Sequence, residues 1–192
     1  MRTDNIRIVD LCPDDEKRIN EVATLMMDAF REHSPDYCRD IETTLEEVRD
    51  LFRPGHIGRM AVDAQGAVLG VIGGQPHYYG HAWELHPLAV HPEHQRQGIG
   101  RALVADLEQR VRERGALTLF LGTDDEVDQT TLSAVDLYPN PLDHLARIEN
   151  LRGHPYEFYQ KVGFVIVGVM PDANGWGKPD IFMAKRVGSQ GR

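Results

Sequence analysis

The chain has 192 residues and a formal net charge of −9, with 41% apolar and 27% charged residues. That balance belongs to a globular domain able to bury its own core, and no apolar run approaches the roughly 18 residues of a membrane span. The acidic balance argues against nonspecific nucleic-acid binding, which needs basic patches facing phosphate; it suits a cationic substrate as well as plain solubility.

Alternation over 5–11 predicts a short strand. Pro13 followed by Asp14, Asp15 and Glu16 reads as a helix start, and Ile19, Val22, Leu25, Met26 and Phe30 recur behind it at helical spacing. His33-Ser34-Pro35-Asp36 breaks that helix. A second amphipathic helix is expected over 41–52, stopped by Pro54-Gly55. Strands follow at 57–63 and 68–75 with a Gln65-Gly66 turn between them, and another at 82–90. A glycine-bearing loop then leads into a helix over 98–114, ended by Gly115. The pattern continues with a strand at 116–121, an acidic irregular stretch, and a short helix at 155–161. Closing strands at 165–170 and 179–185 are joined by Asn174-Gly175 turn chemistry. No repeat, low-complexity tract or linker interrupts this order, so a single mixed α/β domain over 1–192 is expected, with a frayed tail at 188–192.

Cys12 and Cys38 form neither a disulfide framework nor a zinc spacing. Met1-Arg2-Thr3-Asp4-Asn5 contains no apolar stretch of the kind a secretory signal needs. The expectation is a cytoplasmic protein with free thiols and no metal.

The most informative segment is His91-Pro92-Glu93-His94-Gln95-Arg96-Gln97-Gly98-Ile99-Gly100-Arg101. The helix it opens carries Ile99, Leu103, Leu107 and Val111 on one stripe, which packs on a sheet and leaves the first-turn amides pointing outward. Gly98 and Gly100 remove side chains that would block close approach to those amides, and Arg96 and Arg101 add positive charge. Such a loop suits a pyrophosphate. It lacks the Gly-Lys-Ser/Thr of a Walker loop and the third glycine of the dinucleotide fingerprint. Taken alone, the Gly-x-Gly helix start is equally a tight strand-to-helix turn.

Gln95-x-x-Gly98-x-Gly100, set between an apolar strand and an apolar-striped helix, resembles the acetyl-CoA signature of the Gcn5-related N-acetyltransferase superfamily. Tyr156-x-x-Tyr159-x-x-x-Gly163-Phe164 resembles its later motif, and the order of elements agrees along nearly the whole chain. The resemblance implies a mixed, mostly antiparallel sheet flanked by helices and splayed between its fourth and fifth strands, with acetyl-CoA in the opening. It also implies that Leu88, Ala89, Val90, Gln95, Arg96, Gln97, Gly98, Ile99, Gly100, Arg101 and Tyr159 contact that cofactor.

Longer strings narrow the resemblance. Trp83-Glu84-Leu85-His86-Pro87-Leu88, Leu121-Gly122-Thr123-Asp124-Asp125, Asn150-Leu151-Arg152, His154-Pro155-Tyr156-Glu157-Phe158-Tyr159 and Ala173-Asn174-Gly175-Trp176 are similar to the chromosomally encoded, dimeric aminoglycoside 6′-N-acetyltransferases. That similarity implies acetyl transfer to an aminoglycoside 6′-amine, hence antibiotic resistance, and a homodimer to which the closing strands contribute.

The chemistry requires an acceptor for the ammonium proton, a donor for the thioester oxygen and a donor for the departing thiolate. By resemblance the candidates are Glu84 as base, directly or through water, the Leu88 amide freed by a strand bulge, and the Tyr159 hydroxyl. His86, two residues from Glu84 and so on the same strand face, is a positioning candidate. Trp83, Tyr78, Glu84, Asp124 and Asp125 are candidates for the substrate side, where carboxylates would orient ammonium groups. Two other function classes stay open: an acetyltransferase for protein lysines, peptide N-termini or polyamines, and a non-catalytic acetyl-CoA-binding module.

Overall fold

The computed structural model describes residues 6–35 and 37–188. These fall into two units: one runs to Leu119 and takes up the chain again from Val187, the other is Phe120–Arg186. In the first unit, β1 (Arg7–Asp10), β2 (Ile57–Val62), β3 (Val68–His77) and β4 (Ala82–Val90) form an antiparallel meander in that order. The Asp63 carboxylate shapes the β2–β3 turn, accepting from the Gln65 and Ala67 amides at 2.9 and 2.8 Å. The expected start of β1 at Asn5 lies outside the described residues, as does Asp36.

Helix α1 (Glu16–Phe30) is capped by Asp15, which accepts from the Arg18 amide at 3.1 Å. Its Ile19, Val22, Leu25 and Met26 are buried as their spacing predicts. Helix α2 (Ile41–Asp50) starts at an Asp40 cap, which accepts from the Thr43 amide at 2.8 Å. It ends two residues earlier than expected, with Leu51 and Phe52 in a turn. Both helices pack into one apolar cluster with Leu11, Met60, Val71 and Ala89. Cys38 belongs to that cluster, and burial pushes its thiol up to about 11, whereas Cys12 is exposed.

Helix α3 (Ile99–Glu113) packs on β3 through Ile99, Leu103, Val104, Leu107 and Val111, all buried. Its end explains why the next strand begins late. Gly115 takes φ +85°, the Gly115 amide donates to Arg112 O at 3.0 Å and the Ala116 amide to Val111 O at 3.0 Å. That double bond is a Schellman cap, so Ala116 closes the helix and β5 runs Thr118–Asp124. At the far end of the unit the Gly188 amide donates to Leu117 O at 3.2 Å. Of the tail expected at 188–192 only Gly188 is described, and it carries this hydrogen bond; 189–192 lie outside the described residues.

Two features of this unit escape the hydrophobic pattern. Arg59, 4% exposed on β2, donates from Nε and Nη2 to the Asp106 carboxylate at 2.8 and 3.2 Å, from Nη2 to Ile8 O at 3.0 Å, and from Nη1 to Asp10. Burial works against its charge, but the two carboxylates outweigh it and hold the guanidinium above its ordinary pKa. The second feature is a bulge. Gly74 pairs with Leu85 and Ile72 with Leu88, so His86 and Pro87 together oppose Gly73. A Cβ at Gly73 would collide with the His86 carbonyl oxygen and with Leu51 Cδ2.

In the second unit β5, β7 (Asp180–Arg186) and β6 (Val165–Met170) lie in the order β5-β7-β6, and β6–β7 is an antiparallel hairpin. Short helices α4 (Pro141–Leu145) and α5 (Tyr156–Lys161) pack on β6 and β7 respectively. The observed elements bear out the expected mixed α/β class with mostly antiparallel pairing.

Asp125 anchors the turn after β5. It is fully buried, and its two oxygens accept from the Gln129 and Thr130 amides, each at 2.7 Å. This corrects its assignment to the substrate side: a carboxylate with both oxygens committed to buried amides is a fold element. Burial pushes its pKa up, and these hydrogen bonds more than reverse that, leaving the carboxyl below its usual range.

Two stability outcomes follow. Gly73→Ala is expected to lower stability by about 1–3 kcal/mol through overpacking at the bulge, read as a fall in urea midpoint. Asp125 has a depressed native pKa, so its contribution is present above the ordinary carboxylate value of about 4 and is lost as pH falls through the native value. Asp125→Asn is therefore expected to cost about 1–3 kcal/mol near neutral pH and to shrink the difference between neutral and acidic urea midpoints; an unchanged difference would contradict this.

Candidate active site

Trp83, Leu85, Pro87 and Ala89 of β4 are buried and Glu84, His86, Leu88 and Val90 half-buried, but the bulge reverses the face: Leu88 and Val90, opposite Ile72 and Gly70, lie on the sheet face of Leu85, opposite Gly74, and Glu84, opposite Gln75, lies on the other. Glu84 lies opposite Gln75, and its Oε2 is 3.0 Å from His77 Nε2 at the end of β3. His86 is held from α2 and the segment before it. Its Nε2 is 3.0 Å from the Tyr37 hydroxyl and 3.6 Å from Glu47 Oε2, and Tyr37 donates to that same carboxylate oxygen at 3.1 Å. His86 holds the Glu47 carboxyl below the usual range, with help from Tyr37 and against partial burial. The spacing of Glu84 and His86 is legible in the sequence, but Tyr37, Glu47 and His77 are not, because each reaches them through tertiary packing.

Leu88 stands immediately past the bulge, its side chain half-buried and paired opposite Ile72. Trp83, in contrast, is 3% exposed, donates from its indole to Gly80 O at 3.1 Å and lies under the Arg114 guanidinium at 5.2 Å. That corrects its placement on the substrate side: its ring is core. Tyr78 and Tyr79, in the β3–β4 connection, are exposed with φ of +46° and +59°. Two neighbouring non-glycine residues in the left-handed region are costly, and such strain concentrates at functional sites.

The glycine-bearing loop fits a phosphate group on its own geometry. Val90 O, at the end of β4, accepts from Gln95 Nε2 at 3.3 Å, and Glu93 O accepts from Gln97 Nε2 at 3.3 Å. These two glutamine side chains therefore brace the loop. Arg96 and Gly98 both adopt positive φ, +60° and +89°. Gly98 occupies the cap position of α3 with no side-chain hydrogen bond to the first turn. The amides that a serine or aspartate cap would satisfy are thus left for a ligand, with the positive end of a 15-residue helix behind them. The Ile99 side chain is buried, and Ala89 faces the core, so both offer only backbone to this loop; Arg96 and Arg101 are exposed.

In the second unit Asp124 ends β5, half-exposed, with its Oδ1 accepting from Asn174 Nδ2 at 2.5 Å. Its carbonyl faces His154, which is buried. The Tyr156 amide donates to His154 Nδ1 at 3.2 Å, so the ring hydrogen sits on Nε2 and goes to Asp124 O at 3.0 Å. His154 so links the end of β5 to the first turn of α5. Asn150 braces the preceding loop, accepting from the Gly153 and His154 amides at 2.8 Å each and donating to His154 O at 3.0 Å. Tyr159 on α5 is buried against Phe158 and Phe164, with ring centroids 5.2 and 5.8 Å away. Burial alone pushes its hydroxyl well above the ordinary tyrosine pKa.

Comparison with known proteins agrees with this arrangement. The chain superposes on the crystal structure of an aminoglycoside 6′-N-acetyltransferase complexed with coenzyme A, with a TM-score of 0.85 and 41% identity, covering 97% of this chain and 99% of that one. An acetyltransferase of Photorhabdus laumondii, plu1384, is 35% identical over 91 residues, 47% of this chain and 57% of its own length. The ribosomal protein bS18-alanine N-acetyltransferase of Escherichia coli is 43% identical over 54 residues, 28% of this chain and 34% of its own length. The chain thus spans less than two thirds of these two curated relatives. Residues 19–140, from α1 through the glycine-bearing loop and β5, match the acetyltransferase (GNAT) family, and the chain belongs to that family.

Proposed function

We propose that the protein is an aminoglycoside 6′-N-acetyltransferase, carrying acetyl from acetyl-CoA to the 6′-amine of these antibiotics and so conferring resistance. The observation that carries this is the end-to-end likeness to the coenzyme A-bound enzyme. The uncapped α3 terminus supports it as a place for the cofactor's pyrophosphate. In this scheme the amine nitrogen attacks the thioester carbonyl, the carbon–sulfur bond breaks, and coenzyme A leaves as thiolate. Glu84, half-exposed, takes the ammonium proton directly or through water. The Leu88 amide, beside the bulge, donates to the developing oxyanion. Tyr78, Glu84 and Asp124 are the substrate-side residues retained, all with accessible surface.

The environment of Tyr159 narrows its part. A thiolate of ordinary pKa near 8.5 is a much weaker base than a tyrosinate raised above about 10, so full proton transfer from Tyr159 runs uphill. A hydrogen bond from its hydroxyl to the departing sulfur asks for no transfer, and the burial that raises the pKa keeps the hydroxyl protonated. A homodimer is part of the proposal: Val165, Val167 and Met170 along β6 are 62, 57 and 50% exposed, an apolar row that a second copy would cover.

The likeness to the bS18-alanine enzyme favours one other reading, acetylation of a peptide N-terminus. A thiol-release assay with acetyl-CoA separates the two. Turnover is expected with kanamycin-like and tobramycin-like compounds bearing a 6′-amine, with mass spectra placing acetyl on that nitrogen, and not with 6′-hydroxyl analogues at that position. Turnover confined to an alanine-terminated peptide would replace the aminoglycoside reading. Glu84→Gln is expected to lower kcat/KM by about 10²–10⁴, the usual range for a general base. Tyr159→Phe is expected to cost about 5- to 10-fold, one hydrogen bond's worth, equally at all pH. Wild-type rates for Glu84→Gln across the pH range would remove it as the base.

A further inference from the structure

Donor counting fixes the protons around His86. The Glu47 carboxyl, held below its usual range, is ionised and only accepts. Tyr37 has a single O–H, and it lies 3.1 Å from Glu47 Oε2. With that hydrogen committed, the Tyr37 oxygen offers a lone pair to His86 Nε2 at 3.0 Å, so Nε2 must carry a hydrogen. The same carboxylate oxygen, 3.6 Å from Nε2, reinforces that choice. Among the described residues both polar contacts shown to the ring, from Tyr37 and Glu47, are at this one nitrogen.

We propose that Tyr37 and Glu47 are positioning residues that lock His86 as the Nε2–H imidazole and make Nδ1 its working nitrogen. When His86 is neutral, Nδ1 accepts a hydrogen bond from an amine or water; when it is protonated, Nδ1 donates. The logic is that of a carboxylate holding an imidazole in one tautomer for work at its other nitrogen, here with a tyrosine hydroxyl between them. The charged and titratable groups around His86 are Glu47 on α2, Arg53 past the end of α2 acting on Glu47, Tyr37 from the segment before α2, and Glu84 with His77 on β4 and β3. The kinetic consequence rests on the acetyltransferase reading above; the lock does not.

Nitrogen-15 NMR of the histidine rings in the intact protein tests the lock before any substitution. The neutral form of His86 is expected to show the Nε2–H tautomer, and an Nδ1–H signal would overturn the proposal. Glu47→Gln, whose amide can donate to Tyr37 as well as accept from it, is expected to release the Nε2–H preference, while Glu47→Asp retains it. Tyr37→Phe is expected to let Nδ1–H appear. An unchanged Nε2–H tautomer in the Tyr37→Phe, Glu47→Gln double variant also overturns it. With acetyl-CoA and a 6′-amine substrate, kcat/KM is expected to fall about 5- to 10-fold in Glu47→Gln as one hydrogen bond's worth of orientation is lost. If the tautomer behaves as stated but no amine is turned over, the functional reading fails and the lock stands.

Discussion

One extra residue in β4 sets the register of the strand that carries Glu84, His86 and Leu88, the residues proposed for the chemistry. With His86 and Pro87 both opposite Gly73, the pairing resumes at Leu88 one step out of phase with Leu85. The register therefore breaks between Glu84, still laddered opposite Gln75, and Leu88, whose amide adjoins the irregularity. The break holds only because β3 carries a residue without a Cβ where the His86 carbonyl and Leu51 press in. Regular pairing would satisfy the backbone of β4 completely and leave it no spare donor.

Much of this was legible in the sequence. Helical spacing located the buried stripes of α1 and α3, and β4 and β6 fell at the bounds expected for them. Side chains answering to local period and turn chemistry announce themselves in this way. The misplacements have physical causes. The Schellman cap drew Ala116 into the helix terminus and delayed β5, and Trp83 and Asp125 look like ligands by type but turn inward. Tyr37, Glu47 and His77 left no local mark, because their partners lie on elements distant in sequence.

The acidic balance carries less information about a cationic substrate than the net charge implies. Asp15 and Asp40 cap helices, Asp63 shapes a turn, Asp125 anchors one, and Asp10 and Asp106 neutralise a buried guanidinium. Each is committed to a hydrogen bond inside the fold. Asp124, Asp128, Asp136, Asp143 and Glu149 in the second unit keep accessible surface, so attraction of a polyamine rests on fewer carboxylates than composition alone implies.

The contrast between the two thiols has a practical side. Cys38 lies in the apolar cluster with its pKa raised to about 11, so almost none of it is thiolate near neutrality, while Cys12 is exposed just ahead of α1. A maleimide or spin label applied to the native protein would therefore attach at Cys12 alone, giving a single spectroscopic reporter at the entrance of α1 without engineering a cysteine-free background.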